Sequence, residues 1–597
     1  MPLILVERAN RDQPGEISRL NGGLATSNIP PDHWRWHQNS RWLLAVSAPS
    51  VCLPAAETQT FALDGFFSNT ESLRSKLPLT PSATQSDLEL LAALYQYHGP
   101  AALDWIAGNF LLLVLDERSD TAHIRRDVLG ARAAFWLHGP RGRALASSSA
   151  ILAAWRPGWA EETRVISNFF ALRPHAHIGL SAFADIHEVL PGERLCWTAE
   201  RSEHSRVPFD FGDFTSPRPT TDWIEAFDHA LSASVAACTR SGGPIAAMLS
   251  GGLDSGPMVV KAGQILADPS SQLFPVSWVL PEHPQSDEGQ WIELLCKSLQ
   301  LRLNRFTGDC GLPFDEASLV EIDPTTPTQN PFRPLLTGCY QLATELGCGV
   351  ILNGGMGDNL YPKRHSLLLD QWRRFGWRGL VAGLADLSHY RGWRGLMSDP
   401  ALRHLPGRLR PAGLKRWAPA WLTPTARKLL LAPSERSWPP EASQYLHPDL
   451  ARSVLAQRIV YPAALENLMA NRHGLERRDP YQNEALVQLM LQMPVNLSFR
   501  QGSSKWIMRR AMAGQMPDSL RTKPRTGLMG SLFNHGFEHN RSRIRQYRFQ
   551  ENREWQRYVK PTFVAAALEP DSTSEQKKLV MSCLGYSLWR DYWEASA

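Results

Sequence analysis

The chain has 597 residues, of which 43% are hydrophobic and 20% charged, and a formal net charge of +5; this suits a globular protein with at least two cores and excludes a disordered or low-complexity one. So small a net charge gives no argument for nucleic acid, and no zinc finger, RNP-like aromatic strand or helix-turn-helix is present. Eight cysteines, at positions 52, 196, 238, 296, 310, 339, 348 and 583, form no Cys-x-x-Cys pair, so neither a zinc site nor a disulfide scaffold is indicated. With no basic leader and no run long enough to be a transmembrane segment, a cytoplasmic protein is expected.

Residues 1–205 alternate short β-type runs with turn signals, among them residues 42–46, 110–115 and 194–197, the pattern of an α+β, sandwich-like domain. Residues 201–221 are rich in Ser, Pro, Asp and Phe without periodicity and read as a linker. From Trp223 the pattern becomes helix then strand. Phe227, Leu231 and Val235 share a helical face, and residues 244–249, 273–280 and 350–352 read as buried strands, which predicts a doubly wound α/β domain over residues 220–597.

The strand at 244–249 ends in Ser250-Gly251-Gly252-Leu253-Asp254-Ser255. Glycines there let backbone N–H groups turn towards an anion, and the helix predicted to follow favours negative charge at its N-terminus. The Gly-Lys-Ser/Thr ending of a Walker loop is missing. A lysine-free turn with its own carboxylate suits pyrophosphate held by amides and hydroxyls with a magnesium ion on Asp254, as cleavage of ATP between its α and β phosphates requires. The strand at 350–352 ends in a second acidic turn, Asn353-Gly354-Gly355-Met356-Gly357-Asp358.

Beyond Pro362 the pattern is mostly helical. Residues 363–428 carry 14 Lys and Arg against three aspartates, together with Trp372, Trp377, Trp393, Trp417 and Trp421. This basic helical segment, 363–432, reads either as a solvated helical face or as a docking surface for an acidic peptide, a partner protein or an anionic lipid.

The two acidic turns in this order resemble the synthetase half of the asparagine synthetase superfamily, a PP-loop ATP pyrophosphatase domain with a helical C-terminal lobe. Asp64-Gly65, Arg126-Asp127-Val128-Leu129-Gly130 and Leu190-Pro191-Gly192 are similar to landmarks of the family's N-terminal Ntn amidotransferase sandwich. Gly474-Leu475-Glu476-Arg477-Arg478-Asp479-Pro480-Tyr481, Ser504-Lys505-Trp506 and Arg521-Thr522-Lys523 look like parts of the C-terminal lobe and its late basic loop. The resemblance implies ATP and Mg2+, with Asp254 and Asp358 on the metal. It puts the nucleotide against Leu249, Ser250, Gly251, Gly252, Asp254 and Ser255, Ser277 and Trp278 at the end of the second strand, and Asn353, Gly354 and Asp358. Lys523 would stabilise the charge that builds on the adenylate and the tetrahedral adduct, Lys505 would reach phosphate, and Glu476 would orient or deprotonate the incoming amine.

Two departures shape the expected function. The family's amidotransferase uses a cysteine directly after the initiator methionine, where this chain has Pro2; the N-terminal domain is therefore expected to be an inactive scaffold. The family's second turn carries a glutamate that holds the amino group of aspartate, where this chain has Gly355, which favours a carboxylate on a larger molecule. Among members lacking a working amidotransferase the chain most resembles the lasso-peptide macrolactam synthetases. That resemblance implies adenylation of an Asp or Glu side chain of a precursor peptide and attack by the peptide's own N-terminal amine, with a leader protease and a leader-binding protein as partners. A β-lactam or carbapenam synthetase, an ammonia-dependent asparagine synthetase homologue and a non-catalytic scaffold are the alternatives.

Overall fold

The computed structural model describes the whole chain except residues 1–2, 8–22, 28, 31–32, 40, 48–50, 56–57, 79–84, 140–141, 157, 173–178, 211–217, 310, 317–321, 362–366, 397–418, 431–461, 524–528, 547–553 and 597. Among the described residues, twelve strands build the first domain: β1 (Leu3–Glu7), β2 (Trp34–Gln38), β3 (Trp42–Ser47), β4 (Val51–Ala55), β5 (Gln59–Phe67), β6 (Gly108–Asp116), β7 (Thr121–Arg126), β8 (Phe135–Gly139), β9 (Gly142–Ala146), β10 (His187–Glu188), β11 (Glu193–Trp197) and β12 (Ser202–Arg206). They form two six-stranded sheets, in the orders β10-β8-β9-β1-β3-β2 and β12-β11-β7-β6-β5-β4. Between the sheets lie Leu3, Leu5, Leu44, Leu111, Leu113 and Ile124, all buried, on alternate positions of strands whose opposite faces meet helices. The linker expected from residue 201 is corrected here, because Ser202–Arg206 pairs antiparallel with Glu193–Trp197. All five of its residues are polar and none is buried, so this edge strand carries no hydrophobic alternation to announce it.

The second domain is a five-stranded parallel sheet in the order β15-β14-β13-β16-β17, with β13 (Ile245–Met248), β14 (Leu273–Val279), β15 (Asn304–Thr307), β16 (Val350–Leu352) and β17 (Glu476–Arg478). The strand order reverses about β13, whose neighbours β14 and β16 lie on either side, and such a switch point opens a crevice beyond the carboxyl ends of the strands. The helices used below are α1 (Thr220–Thr239), α2 (Ser255–Ile265), α3 (Gly289–Ser298), α4 (Arg333–Glu345), α5 (Leu367–Leu396), α6 (Trp506–Ala511), α7 (Met529–His539) and α8 (Ser574–Ala595). The segment read as helical around Glu476 is a strand: Gly474 adopts φ +71 and ends the preceding helix, and Glu476–Arg478 then joins the sheet beside β16. A three-residue strand of charged residues has no strand signature in sequence.

The two domains share a core. Phe170 and Phe183 of the first domain lie in one buried cluster with Tyr558, Leu584, Tyr586 and Trp589 near the C-terminus. Glu161 accepts hydrogen bonds from the hydroxyls of Tyr558 (2.6 Å) and Tyr586 (2.7 Å). The indole N–H groups of Trp589 and Trp593 both donate to the Pro324 carbonyl at 2.9 Å. Of the basic segment, α5 and a short helix (Pro424–Lys428) lie among the described residues and 397–418 does not. On α5, Trp372, Phe375, Trp377 and Val381 are exposed, while Arg374 is spent on Asp370 (2.9 Å) and the Gln492 carbonyl (3.1 Å).

Candidate active site

The site lies at the carboxyl ends of β13, β14 and β16. After β13 the chain turns through Gly251 at φ +67, and a Cβ there would stand 3.2 Å from the Cβ atoms of Glu288 and Trp291, so this close approach requires glycine. The Ser250 N–H donates to Ser255 Oγ at 3.0 Å, which folds the turn onto the first residue of α2. The second acidic turn comes equally close: a Cβ on Gly357 would collide with the Asp254 carboxylate. Asn353, nearly buried, shapes that turn by accepting the Gly355 N–H at 2.7 Å.

A β-hairpin delivers a cation to these turns. β18 (Phe499–Arg500) and β19 (Ser503–Ser504) are joined through Gln501 at φ 51 and Gly502 at φ 76, the double positive φ of a tight hairpin turn. Lys505 follows, itself at φ 53, just before α6. A left-handed lysine costs about 1–2 kcal/mol, and strain of this kind collects at functional sites. The Lys505 ammonium bonds the Asp254 carboxylate and lies 2.7 Å from Asp358 Oδ1, with the Tyr361 ring 5.6 Å away. Burial pushes the Tyr361 phenol well above its ordinary value, with the charges of Asp254 and Asp358 adding to the effect. The Tyr481 hydroxyl donates to the Asp254 carbonyl at 2.7 Å, pinning the first turn from below.

Lys523, 7% exposed, forms an ion pair with Glu288 at 2.8 Å and lies over the Trp291 ring. Its backbone is held by Arg509, which donates to the carbonyls of Ser504 (2.9 Å), Arg521 (2.6 Å) and Lys523 (3.1 Å) and so ties the hairpin to the Lys523 segment. A cavity of about 440 Å3 connects these groups and is lined by Ser250, Asp254, Asp358, Lys505, Lys523 and Glu288 among others. Gly252, Ser277, Trp278 and Arg509 line it too.

The structure thus brings together Ser250, Gly252, Asp254, Ser277, Trp278, Asp358, Lys505 and Lys523. Leu249, Gly251, Ser255, Asn353 and Gly354 stand behind the wall and shape it: the Leu249 N–H donates to the Val276 carbonyl at 3.0 Å, and Gly354 lies where a Cβ would be 3.1 Å from the Ser255 nitrogen. Glu476 is not brought to the cavity, and its expected role at the amine is corrected. It pairs with Val350 at the start of β16, two residues back from the carboxyl end where the turns gather. Its carboxylate is taken by Arg132 (2.9 Å) of the first domain and Arg478 (2.8 Å). Burial alone would raise this carboxyl, but the charges of Arg478 and Arg132 outweigh it and hold it below the usual range, so it stays an ionised interdomain tie. Sequence reading missed Arg509, Tyr361 and Trp291. Arg509 closes the motif that Ser504 and Lys505 open, one helical turn after Lys505, and Tyr361 lies three residues after Asp358, so both could have been found; Trp291 carried no signal of its own.

The carboxylates of Asp254 and Asp358 come from different turns and meet on a single cation, so the donor set is two hard oxygen ligands at one point. Magnesium takes such a set, completing its shell with phosphate oxygens and water, and the residues present fit it.

The asparagine synthase family profile matches residues 226–591, and that of a glutamine amidotransferase domain matches residues 52–207. Asparagine synthetase [glutamine-hydrolyzing] 3 of Bacillus subtilis is 23% identical over 504 residues, 79% of this chain and 75% of that protein. Asparagine synthetase [glutamine-hydrolyzing] 1 of Lotus japonicus is 26% identical over 247 residues, 40% of this chain and 37% of that protein. Among solved structures, the glutamine phosphoribosylpyrophosphate amidotransferase of B. subtilis shares 12% identity and a TM-score of 0.26, covering 59% of this chain and 90% of that one. With a match that runs from α1 into α8 and takes in both acidic turns and both cavity lysines, the chain belongs to the asparagine synthase family.

Proposed function

We propose that the chain is an ATP-dependent amide ligase that adenylates a side-chain carboxylate of a peptide and joins it to the peptide's own N-terminal amine, releasing pyrophosphate and then AMP. Asparagine synthase family members are ATP-dependent amide-forming ligases. The observation that carries the reading is the convergence of Asp254 and Asp358 on Lys505 in a cavity that Lys523 also lines. Asp254 and Asp358 would hold a magnesium ion, which when bound neutralises pyrophosphate charge. Ser250 and the first turn of α2 offer hydroxyl and amide donors to phosphate oxygens. Lys505 adds a cation on the leaving-group side, and Lys523 places a compact ammonium where the acyl oxygen gains negative charge, a contribution worth about 3 kcal/mol in comparable oxyanion sites.

The peptide assignment rests on Gly355, exposed in the second turn, which brings no carboxylate of its own to the ammonium of a free amino acid. Intramolecular attack needs no ammonia, and the N-terminal domain supports that. No cysteine lies on β1, and the Cys196 thiol on β11 is raised by burial, a poor state for a nucleophile. The test supplies purified protein with ATP, magnesium and a candidate precursor peptide bearing a free N-terminal amine. A product lighter by one water, with AMP formed in equal amount, is expected. Asparagine formed from aspartate and ammonia, with no change in the peptide, would replace the peptide reading by that of an ammonia-dependent synthetase.

A further inference from the structure

A second cavity, of about 480 Å3, opens beside the first, and the two share Met529 and Gly530 at the start of α7. It falls within the size range of small-ligand pockets, about 300–1,000 Å3. Its walls come from three parts of the chain: Phe169 and Leu172 of the first domain, Phe332 ahead of α4, and Phe533 and Met581 of α7 and α8.

The polar atoms of one wall are turned inward. Gln329 Oε1 accepts the Asp323 N–H at 3.0 Å and an Arg333 N–H at 3.1 Å, and its amide donates to the Thr326 carbonyl at 3.0 Å. The same loop is fixed by the two indole donors on Pro324, so the cavity is walled by chain already held in place and binding there costs little ordering. Leu172, on the wall, adopts φ 53, a conformation unfavourable for leucine.

We infer that this cavity seats a bulky apolar side chain, aromatic or branched aliphatic, of the peptide whose carboxylate reacts in the first cavity. The inference rests on the amide-ligase reading: the shared Met529 and Gly530 set the two cavities side by side, within reach of one peptide. A free small amino acid would leave the second cavity empty.

The test uses two probes, N-acetyl-Phe-Asp amide and N-acetyl-Gly-Asp amide, and two substitutions that line only the second cavity, Met581→Glu and Thr328→Trp. Ligand-observed NMR titration of the full chain without ATP is expected to give at least tenfold tighter binding of the Phe probe, and this preference should vanish in either variant that keeps the wild-type melting profile. Equal binding of both probes to the wild type, or a preference that survives both substitutions, overturns the inference. ATP–pyrophosphate exchange with the same probes separates it from the reading beneath it. Preference in binding with no exchange for any carboxylate leaves the cavity assignment standing and removes the ligase. Exchange that is equal for the two probes, with equal binding, does the reverse.

Discussion

Lys523 Nζ lies 2.8 Å from Glu288 Oε1 and is largely shut away from water, so the cavity's deepest ammonium is neutralised at rest by a carboxylate from the end of the second strand's loop. The pair holds the cation in place before substrate arrives and tempers its attraction for stray anions.

Removing one partner of this pair strands the other. Glu288→Gln is expected to lower the melting temperature, by analogy with buried pairs whose disruption costs about 3–5 kcal/mol, discounted here for partial exposure. The double variant with Lys523→Met should recover part of the loss. Lys523→Met alone should cut turnover about 100-fold or more, and Lys523→Arg should fail to restore it, because a planar guanidinium does not replace a point charge. Recovery of rate by arginine would show that bulk positive charge suffices.

Asp254→Asn and Asp358→Asn should each abolish pyrophosphate exchange at every magnesium concentration tested while shifting the melting temperature little. Their side chains are 20% and 50% exposed, so neither substitution opens a core, yet each removes a charged ligand from the cation site. Exchange restored by high magnesium in either variant would show that the remaining carboxylate holds the ion alone.

For Glu476 the expectation is the opposite pattern. Glu476→Gln leaves Arg132 and Arg478 facing a neutral group at a buried domain junction, and stability should fall by about 3 kcal/mol. Turnover per folded molecule should stay within threefold of wild type. A large loss of turnover with an unchanged melting temperature would return this residue to the chemistry.

Acid should loosen the first domain through Glu7. Burial would raise its carboxyl, but hydrogen bonds and charges from Arg143 and Arg41 outweigh it and hold it at about 2. These ties join β1 to the residue just before β3 and to β9. Because the folded value is depressed, the stabilisation is complete above the unfolded value of about 4.3 and is lost as pH falls from there towards 2. Glu7→Gln should therefore lower the melting temperature at pH 7 and leave it unchanged near pH 2, as measured by circular dichroism.

The apolar runs 42–46, 110–115, 194–197, 244–249, 273–280 and 350–352 each proved to hold a strand, while Gln59–Phe67 and Thr121–Arg126, equally buried, were not read, and the two acidic turns identified the carboxyl ends of β13 and β16 because glycine, carboxylate and hydroxyl residues have few other reasons to cluster after a buried strand. What failed was charged or polar in sequence. The exposed edge strand Ser202–Arg206 and the buried edge strand Glu476–Arg478 show no periodicity, since one faces solvent and the other pairs its charges across a domain junction. Sequence proximity also misled: Glu476 lies three residues before Asp479, whose buried carboxyl accepts the Tyr481 N–H at 3.2 Å, and only the direction of the strand decides which of them stands near the turns. The Lys523–Glu288 pair spans 235 positions, a separation no local pattern encodes.

The cluster in which Phe170 and Phe183 pack against Tyr586 and Trp589 makes the first two hundred residues impossible to discard. Cutting them away would bare a face of aromatic rings on α8 and leave Glu161's two tyrosine hydroxyls without their acceptor. The amidotransferase-type domain is in this way a structural part of its neighbour, whatever chemistry it carries itself.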